Sequence, residues 1–476
     1  MFSLHYLATL VGLAAVTSAQ VNVIGSDRSL DLWGPANQAF SHIVHQPDAT
    51  YIAPHFDFLN LPPGGILEIT SLDGSQKVSY TGAGRNNFYA EYIKGDAAVI
   101  SYFPPESLDV IRDDDSASAP VAFKLDRFAS GYPNGSPADA IEAICGNDDT
   151  QAIVCVKNTD AAKYKKAQAV ARLFIGGSGL CTGWLFGSEG HLVTNNHCIG
   201  DAATASNIQF ELGAECKTCG DPDNTKQLGC PGETVATSAT FVHTSHDLDY
   251  TLVKLNLKSG VDLTKYGYLQ ARASGPVLSE PIYIPQHPKG KPTRIATVLD
   301  NGAIGTVESM SINSCSNDEI GYNLDTEPGA SGSPVLSTKD NVVVALHNCG
   351  GCLNGAIKID KVVAELTNLG ILPADAVAGS TPPATTPSPP VTTPKTTTSP
   401  PVTTPKVTTP APKTTPAPKT TPAPKTTPAP KTTKPVNGCD TCDYCYYPGA
   451  DSCLSSFNQD DCDYYAANYG TIWCGN

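Results

Sequence analysis

Short runs of alternating apolar and polar residues cover the chain between Tyr51 and Phe103, and turn-forming Gly, Pro, Asn and Asp separate them. Examples are GGILEIT, QKVSYTG and AAVISYF. A period of two places every second side chain on the same face of a β-strand. Several such strands predict an all-β sandwich, which we place between residues 20 and 137. The segment contains no cysteine and no cluster of acid, base and nucleophile, which favours a structural or pro-region role.

The pattern changes twice after the sandwich. Residues 138–375 again show short strands separated by turns, which predicts a second β-rich domain. Residues 376–436 consist mainly of Thr, Pro and Lys, and TTPAPK repeats four times from Thr408 to Lys431. A segment of this composition cannot bury a core, so we expect a disordered linker whose threonines accept O-linked sugars.

The two ends of the chain predict export and a small terminal module. Residues 1–19 are apolar and end in small residues, as in a signal peptide cleaved before Gln20. This run is short for a membrane span, and no later segment is long and apolar enough to be one. Residues 437–476 contain six cysteines and are too few for an ordinary core, so we expect this module to depend on disulfides.

Charge and cysteine content narrow the class of protein further. The formal net charge is −15, which disfavours nucleic acid as a partner because an acidic surface repels phosphate. The sixteen cysteines divide into even-numbered sets in the second β-rich region and in the C-terminal module. Even numbers in an exported chain indicate disulfides in an oxidising compartment.

Three segments of the second region carry candidate chemistry: CTGWLFGSEGHLVTNNHC, HDLDYTLVKL and DTEPGASGSPV. They offer an imidazole at His197, a carboxylate at Asp249 and a hydroxyl at Ser331. In peptide hydrolysis by a serine, the imidazole takes the hydroxyl proton and the carboxylate fixes the tautomer of the imidazole. The order His, Asp, Ser along the chain is that of chymotrypsin and differs from that of subtilisin. We therefore predict that these three residues form a catalytic triad.

Neighbouring residues refine this prediction. Asp247 competes with Asp249 for the role of the acid, and we prefer Asp249 because the apolar strand YTLVKL follows it directly. Gly329 permits a tight turn that aims its own N–H and that of Ser331 into an oxyanion hole.

Two groups of cysteines invite different interpretations. Cys198 directly follows the candidate histidine, and a disulfide to Cys181 would pin both walls of the site. Cys216, Cys219 and Cys230 raise the question of zinc, but no matched second pair of ligands follows them. We therefore expect disulfides and no metal.

Over residues 143–360 the chain resembles the trypsin-like serine peptidases, and among them the lysyl endopeptidase branch and its eukaryotic microbial relatives. The resemblance lies in CGNDDTQAIVC, the C-T-G strand start, the NHC histidine motif, DYTLVKLN, IYIPQHP, TEPGASGSPV and VVALH. It implies a chymotrypsin-like fold of two packed six-stranded β-barrels with the triad at their junction. The expected fold class is thus all-β: a β-sandwich, the double barrel, a disordered linker and a disulfide-rich module.

The same resemblance has implications for the cysteines. It suggests that Cys145 pairs near the end of the domain, with Cys349 or Cys352. It also suggests that Cys155 pairs within the 216–230 group.

Activation is expected to differ from that of trypsin. Ala330 stands directly before the serine, where trypsin has the aspartate that captures a newly cut N-terminus. Activation through that ion pair is therefore excluded, and the lysyl branch implies a zymogen with a removable N-terminal pro-region. If the enzyme cuts after basic residues, Lys124 and Arg127 are the cleavage points that we expect.

The resemblance also indicates candidate pocket residues. Asp325, six residues before the nucleophile, has the position of the acid at the base of the trypsin S1 pocket, which implies Lys or Arg at P1. Thr326 and His347 resemble the residues with which glutamyl endopeptidases hold a P1 carboxylate. We favour a basic P1, with an acidic P1 as the alternative; the non-functional explanation is that Asp325 only hydrogen-bonds a loop.

Taken together, these features predict a secreted, monomeric serine endopeptidase that needs no cofactor and acts on proteins or peptides. One alternative is a catalytically silent homologue that binds another protein. The other is an adhesin that binds cell-wall polysaccharide through residues 437–476, whose aromatic side chains could stack on sugars. The second alternative would add cell-wall association to an extracellular location.

Overall fold

A computed structural model describes residues 20–105, 120–133, 144 and 146–379, together with short stretches of the C-terminal module at 445–447, 452–454, 459, 462 and 472–475. The expected signal peptide and most of the expected linker, with its candidate glycosylation sites, lie outside the described residues. Among the residues described, no helix combines the length and the apolar content needed to cross a membrane.

The N-terminal region is built from β-strands, as the alternating pattern predicts. They are β1 (Asn22–Val23), β2 (Gly25–Pro35), β3 (Phe40–His45), β4 (Tyr51–Leu59), β5 (Ile66–Thr70), β6 (Lys77–Thr81), β7 (Arg85–Tyr89), β8 (Ile93–Lys94), β9 (Ala97–Phe103) and β10 (Val121–Gly131). One sheet has the order β2-β10-β4-β7, with β8 beside β4, and the other has the order β3-β9-β5-β6. Side chains of both sheets, among them Phe56, Tyr102 and Phe123, share one buried core. The predicted β-sandwich is confirmed.

The expected cleavage points do not suit the folded sandwich. Lys124 and Arg127 lie in β10, which pairs with β2 on one side and with β4 on the other. A peptidase must draw its substrate out as a separate extended strand, and here both edges of the strand are already hydrogen-bonded. Cleavage after either residue is therefore incompatible with the folded sandwich.

The second β-rich region contains fourteen more strands. They are β11 (Gln151–Ala152), β12 (Val170–Ile175), β13 (Gly179–Leu185), β14 (His191–Thr194), β15 (Ile208–Leu212), β16 (Glu233–Ser245), β17 (Tyr250–Leu257), β18 (Ile282–Gln286), β19 (Arg294–Ala296), β20 (Ser309–Ile312), β21 (Glu319–Tyr322), β22 (Pro334–Ser337), β23 (Val343–Cys349) and β24 (Asn354–Lys358). The α-helices described are α1 (Ile153–Val156), α2 (Ala161–Ala167), α3 (Ala202–Ala205) and α4 (Ile359–Asn368), and the 3-10 turns are Pro222–Thr225, Leu263–Lys265 and Pro288–Gly290.

Strand pairing organises this region into two sheets. The first has the order β13-β12-β15-β16-β17-β14, and β13 also pairs with β14, which closes a six-stranded barrel. One buried apolar cluster of this barrel includes Leu173, Cys181 and Phe210, which lie opposite one another on β12, β13 and β15. The second sheet has the order β11-β19-β18-β22-β23-β24-β21-β20, with six strands between its two short end strands. The all-β, chymotrypsin-like fold is confirmed.

The first strand belongs to the barrel although it precedes the sandwich in sequence. β1 pairs antiparallel with β13, with Asn22 opposite Leu180 and Val23 opposite Gly179. Sequence alternation could not reveal this partner, because two residues do not define a face. The first strand of the described residues thus lies on the barrel before the chain enters the sandwich at β2.

The sandwich packs directly on the closed barrel through an apolar interface. Tyr51 of β4 meets Phe174 of β12 edge to face, with ring centroids 5.2 Å apart, and its hydroxyl donates to Gly177 O at 3.0 Å. Nε2 of Gln209 donates to Ala90 O at 3.2 Å across the same interface. Because these side chains are buried, the sandwich supports the barrel and is not a loosely tethered appendage.

The described stretches of the C-terminal module form a small sheet. Its strands are β25 (Cys445–Tyr447), β26 (Ser452–Leu454) and β27 (Ile472–Trp473), in the order β26-β25-β27. A disulfide joins Cys445 and Cys462. Residues of the module share an apolar cluster with the outer face of the sandwich: Ile43, Leu72, Ala97, Val99, Cys445, Cys462 and Trp473.

Candidate active site

The predicted histidine and aspartate lie on adjacent turns of the closed barrel. His197 follows β14, and Asp249 precedes β17, the strand that pairs with β14. Nδ1 of His197 is 2.8 Å from Oδ2 of Asp249, and the backbone N–H of His197 donates to Oδ1 at 3.0 Å. The carboxylate therefore holds both the ring and the backbone of the histidine, which is the arrangement that fixes an imidazole tautomer.

The local backbone distinguishes the two candidate acids. Asp249 has a φ of 40°, in the left-handed region that aspartate tolerates better than most residues. Nδ2 of Asn195 donates to Asp249 O at 2.8 Å and holds that turn. The side chain of Asp247 is fully exposed to solvent, whereas Asp249 is buried. Geometry thus places Asp249, and not Asp247, beside the imidazole.

The predicted nucleophile lies against the histidine turn. Ser331 is 1% exposed, and its carbonyl accepts the N–H of Thr182 at 2.9 Å. Sγ of Cys198 lies 4.0 Å from the same carbonyl oxygen. Because Cys198 directly follows His197, the structure brings the serine and histidine turns together although 133 positions separate Cys198 from Ser331.

Residues after the serine lead into the second sheet. The N–H of Gly332 donates to His347 O on β23 at 2.9 Å, and β22 begins at Pro334. Ser331 therefore lies where the barrel and the second sheet meet. Nε2 of His197 is buried, and the described part of the chain offers it no hydrogen-bond partner. In triad chemistry this nitrogen accepts the serine proton.

The amide of Gly329 has a fixed direction. The N–H of Lys289 donates to Pro328 O at 2.6 Å. In a trans peptide the C=O and the next N–H point in opposite directions, so the Gly329 N–H points away from Lys289. The φ of Gly329 is 96°, a conformation that favours glycine. Oγ1 of Thr182 donates to Gly329 O at 2.8 Å and fixes the other side of this residue.

The peptide before the serine is anchored in the same way. Ala330 O accepts the N–H of Ser333 at 2.9 Å and the hydroxyl of Ser333 at 2.5 Å. The N–H of Ser331 therefore points away from that anchored carbonyl. Two amides with fixed directions beside a serine are the groups from which an oxyanion hole is built.

The three candidate pocket residues are all buried. Oδ2 of Asp325 accepts the N–H of Asp149 at 2.8 Å, so this carboxylate does hold a loop. The hydroxyl of Thr326 donates to Oδ1 of Asn354 at 3.1 Å. Nδ1 of His347 is 2.6 Å from the hydroxyl of Tyr322. Thr326 thus contacts β24, and His347 on β23 contacts β21.

Burial governs the charge of His347. Loss of hydration, aided by the nearby His197 and opposed by a hydrogen bond to the backbone of Gly355, lowers the pKa of its imidazole to about 3. The ring is therefore neutral at pH 7, where it can donate or accept a hydrogen bond but offers no positive charge to a carboxylate.

Disulfides account for the cysteines around the site. The pairs are Cys155–Cys219, Cys181–Cys198, Cys216–Cys230 and Cys315–Cys349. Cys349 is bonded to Cys315, so the suggested pairing of Cys145 with Cys349 is wrong. Cys145 itself lies outside the described residues, and Cys352 is also disulfide-bonded.

Two clusters of possible metal ligands occur among the described residues. They are Cys181, His197 and Cys198, and Cys216, Asp221 and Cys230. Each cluster contains two cysteines that are bonded to each other, so neither cluster offers the thiolates that a zinc site needs.

Three residues that support the site were not among the predicted ones. Thr182 bonds the glycine and serine turns, Lys289 holds the peptide before Gly329, and Asn22 donates from Nδ2 to Pro328 O at 3.4 Å. The C-T-G start of its strand was a signal for Thr182. Asn22 gave no signal, because 306 positions separate it from Pro328.

A protein-family model and a known protein both match this chain in sequence. Residues 181–346 match the model of a trypsin-like peptidase domain. A secreted RxLR effector protein, number 73, of Plasmopara viticola is 39% identical over 346 residues, which cover 71% of this chain and 84% of that protein.

Solved structures with detectable likeness include AlgW and Deg5. The HtrA-type protease AlgW with a tripeptide has a TM-score of 0.32 at 19% identity, and the match covers 44% of this chain and 62% of AlgW. This chain thus spans less than two thirds of AlgW. Deg5 has a TM-score of 0.33 at 18% identity, and the match covers 45% of this chain and 96% of Deg5.

Proposed function

We propose that this chain, which belongs to the family of the P. viticola effector and contains a trypsin-like peptidase domain, is a secreted serine endopeptidase. The observation that carries the proposal is the 2.8 Å contact between His197 Nδ1 and Asp249 Oδ2, beside the turn that contains Ser331. Export is supported by the apolar leader at residues 1–19 and by the description of the relative as secreted.

The proposed mechanism assigns one role to each group. The hydroxyl oxygen of Ser331 attacks the scissile carbonyl while Nε2 of His197 takes its proton, and Asp249 stabilises the resulting imidazolium. The N–H groups of Gly329 and Ser331 stabilise the negative oxygen of the tetrahedral intermediate. His197 then gives the proton to the leaving amine, which leaves an acyl-enzyme at Ser331. Water hydrolyses this ester by the same steps.

Covalent labelling tests this function directly. A fluorophosphonate probe should label the purified enzyme at a single serine, and labelling and peptide hydrolysis should both disappear in Ser331→Ala. The matched control is Ser188→Ala, because Ser188 is an exposed serine of the same barrel. Labelling that survives in Ser331→Ala would show that another residue is the nucleophile.

For specificity we propose a basic residue at P1, held by Asp325. Two observations favour this over an acidic P1: Asp325 is a buried carboxylate next to Thr326, and His347 is neutral at pH 7. Profiling cleavage of a peptide library should show Lys or Arg at P1, and Asp325→Asn should lower kcat/KM for those peptides. Preferred cleavage after Glu, lost in His347→Ala but kept in Asp325→Asn, would instead establish the acidic alternative.

A second candidate function is binding without catalysis. It is favoured by the name of the P. viticola relative, which describes an effector and not an enzyme. A silent homologue would bind a partner protein equally well as the wild type and as Ser331→Ala, and neither form would react with the fluorophosphonate.

The remaining organisation is also proposed. We divide the chain into a signal peptide (1–19), a sandwich (20–137), a peptidase domain (138–375), a linker (376–436) and a C-terminal module (437–476). Monomeric state, glycosylation of the linker, similarity to the lysyl branch and binding of cell-wall polysaccharide by the module belong to the same proposal. Co-sedimentation with cellulose, chitin or β-glucan should retain the full chain of Ser331→Ala but not a form that ends at residue 379.

A further inference from the structure

The first residues after the expected signal peptide are built into the peptidase barrel. Asn22 and Val23 pair with β13 next to Cys181, and the N–H of Ile24 donates to Ser178 O at 2.8 Å. Val21 packs against the barrel core. Although the sandwich begins only three residues after Asn22, this N-terminal segment is structurally an extra strand of the barrel.

The side chain of Asn22 reaches the turn that precedes the candidate nucleophile. Asn22 is 3% exposed, and its Nδ2 donates to Pro328 O at 3.4 Å. The backbone N–H of Lys289 donates to the same oxygen. Two donors from distant parts of the chain therefore converge on a single carbonyl.

That carbonyl sets the direction of the Gly329 N–H, because the two groups belong to one planar trans peptide. Rotation of the peptide would turn the N–H out of the hole, and glycine opposes such rotation less than any other residue. Residue 330 is alanine, so a charged side chain does not anchor the turn at that position. Neutral donors, one of them from the N-terminal strand, hold the peptide instead.

We propose that Asn22 is a positioning residue for the oxyanion hole, so that the N-terminal strand is retained in the active peptidase. The inference rests on the proposed function, because the direction of the Gly329 N–H matters only if Ser331 attacks a carbonyl. It changes the expected zymogen scheme: removal of the whole N-terminal region would also remove part of the support of the active site. Activation by a cut that leaves residues 20–24 in place remains compatible.

The test compares two substitutions of Asn22 in the full-length chain. Asn22→Leu has a similar size but cannot donate, and Asn22→Gln keeps the amide. Loss of a direct oxyanion donor typically lowers kcat by 10²–10³-fold, so weaker positioning should lower it by about 10-fold. KM should change little, and the number of serines labelled by the fluorophosphonate should stay the same while the labelling rate falls. Asn22→Gln should recover part of kcat.

The matched control is Asn224→Leu. Asn224 is also buried, and its Nδ2 donates to the carbonyls of Thr218 and Cys219 in the cysteine-rich loop. This variant should lose stability without the specific fall in kcat. If Asn22→Leu is folded and has the kcat of the wild type, the proposal is wrong.

A second measurement does not depend on how the variants fold. The N-terminal sequence of every polypeptide in the purified active wild-type enzyme should include a chain that contains Asn22. Full activity in material that lacks residues 20–24 would overturn the inference. Wild-type protein without Ser331-dependent labelling would contradict the proposed function instead, so the two failures can be told apart.

Discussion

At the level of single residues, the candidate site depends on a few polar groups held by backbone hydrogen bonds. Asp249 uses one carboxylate oxygen for the ring of His197 and the other for its backbone N–H. Such double use fixes the imidazole more firmly than one contact would, because rotation of the carboxylate breaks both bonds. A substitution of Asp249 should therefore affect the rate of catalysis much more than the free energy of unfolding.

This view predicts the effect of Asp249→Asn. Asparagine has the same shape as aspartate and also tolerates a left-handed backbone. Its amide favours the wrong tautomer of the His197 imidazole, so kcat should fall by about 10⁴-fold. Steady-state kinetics on a cleaved peptide measures this, and Asp247→Asn is the control because Asp247 is fully exposed. Equal losses in both variants would contradict the assignment of the acid.

Two buried histidines predict how stability depends on pH. Burial lowers the pKa of His287 to about 4 and that of His347 to about 3, from an ordinary value of 6.5. Below 6.5 the unfolded chain takes up protons that the folded chain does not, so stability is lost as the pH falls. Each histidine contributes up to about 1.4 kcal/mol per pH unit between 6.5 and its folded pKa.

Urea unfolding between pH 4.5 and 7 measures this slope. His287→Gln should reduce the pH dependence of the free energy of unfolding even if it lowers stability overall. His246→Gln is the control, because the side chain of His246 is 93% exposed. An unchanged slope in His287→Gln would show that other groups cause the acid sensitivity.

At the level of strands and turns, the site is assembled where ends of neighbouring elements meet. The ends of β14 and β17 bring His197 and Asp249 together, and the start of β22 follows the serine turn. The disulfide between Cys181 and Cys198 ties β13 to the histidine turn. This crosslink lies close enough to Ser331 to affect chemistry as well as stability.

Replacing both Cys181 and Cys198 by serine should therefore have two effects. Loss of a 17-residue crosslink should cost about 3 kcal/mol of stability, and kcat should fall because the histidine turn gains freedom. The control is the same change at Cys445 and Cys462, which also lie 17 positions apart but belong to the C-terminal module. Chemical unfolding measures the loss of stability, and kinetics measures the change in kcat. Equal kcat values in both double variants would refute the predicted effect on catalysis.

In the complete protein, the sandwich and the barrel share a buried apolar interface centred on Tyr51 and Phe174. The N-terminal strand and this interface tie the two parts together at neighbouring places, since Ile24 belongs to the same cluster. Such an interface couples the unfolding of the parts it joins.

Tyr51→Ala should break this coupling. Removal of a fully buried aromatic side chain should cost about 3–5 kcal/mol, and the sandwich and barrel should then unfold in separate transitions. Differential scanning calorimetry should show one main transition for the wild type and two for the variant. The control is Tyr268→Ala, because Tyr268 is 37% exposed on the barrel. Two resolved transitions in the wild type would contradict the coupling.

The amino-acid sequence was sufficient for features that contiguous residues encode. Alternation of apolar and polar positions gave the sandwich and the all-β class, because a strand exposes its two faces every second residue. Short motifs indicated His197, Asp249 and Ser331 as candidates, since each lies in a turn whose local residues suit the role we propose for it. Glycine at 329 was predictable for the same reason: its left-handed backbone is a local property.

Tertiary packing decided the features that join distant parts of the chain. Local pattern does not report which strand edge captures β1, so the contact of Asn22 with Pro328 could not be predicted. Strand order also places β10 between two other strands, which protects Lys124 and Arg127. The pairing of Cys315 with Cys349 depends on strand order in the same way. Such contacts are set by the best burial and hydrogen bonding of the entire fold, and many pairings are compatible with the same local preferences.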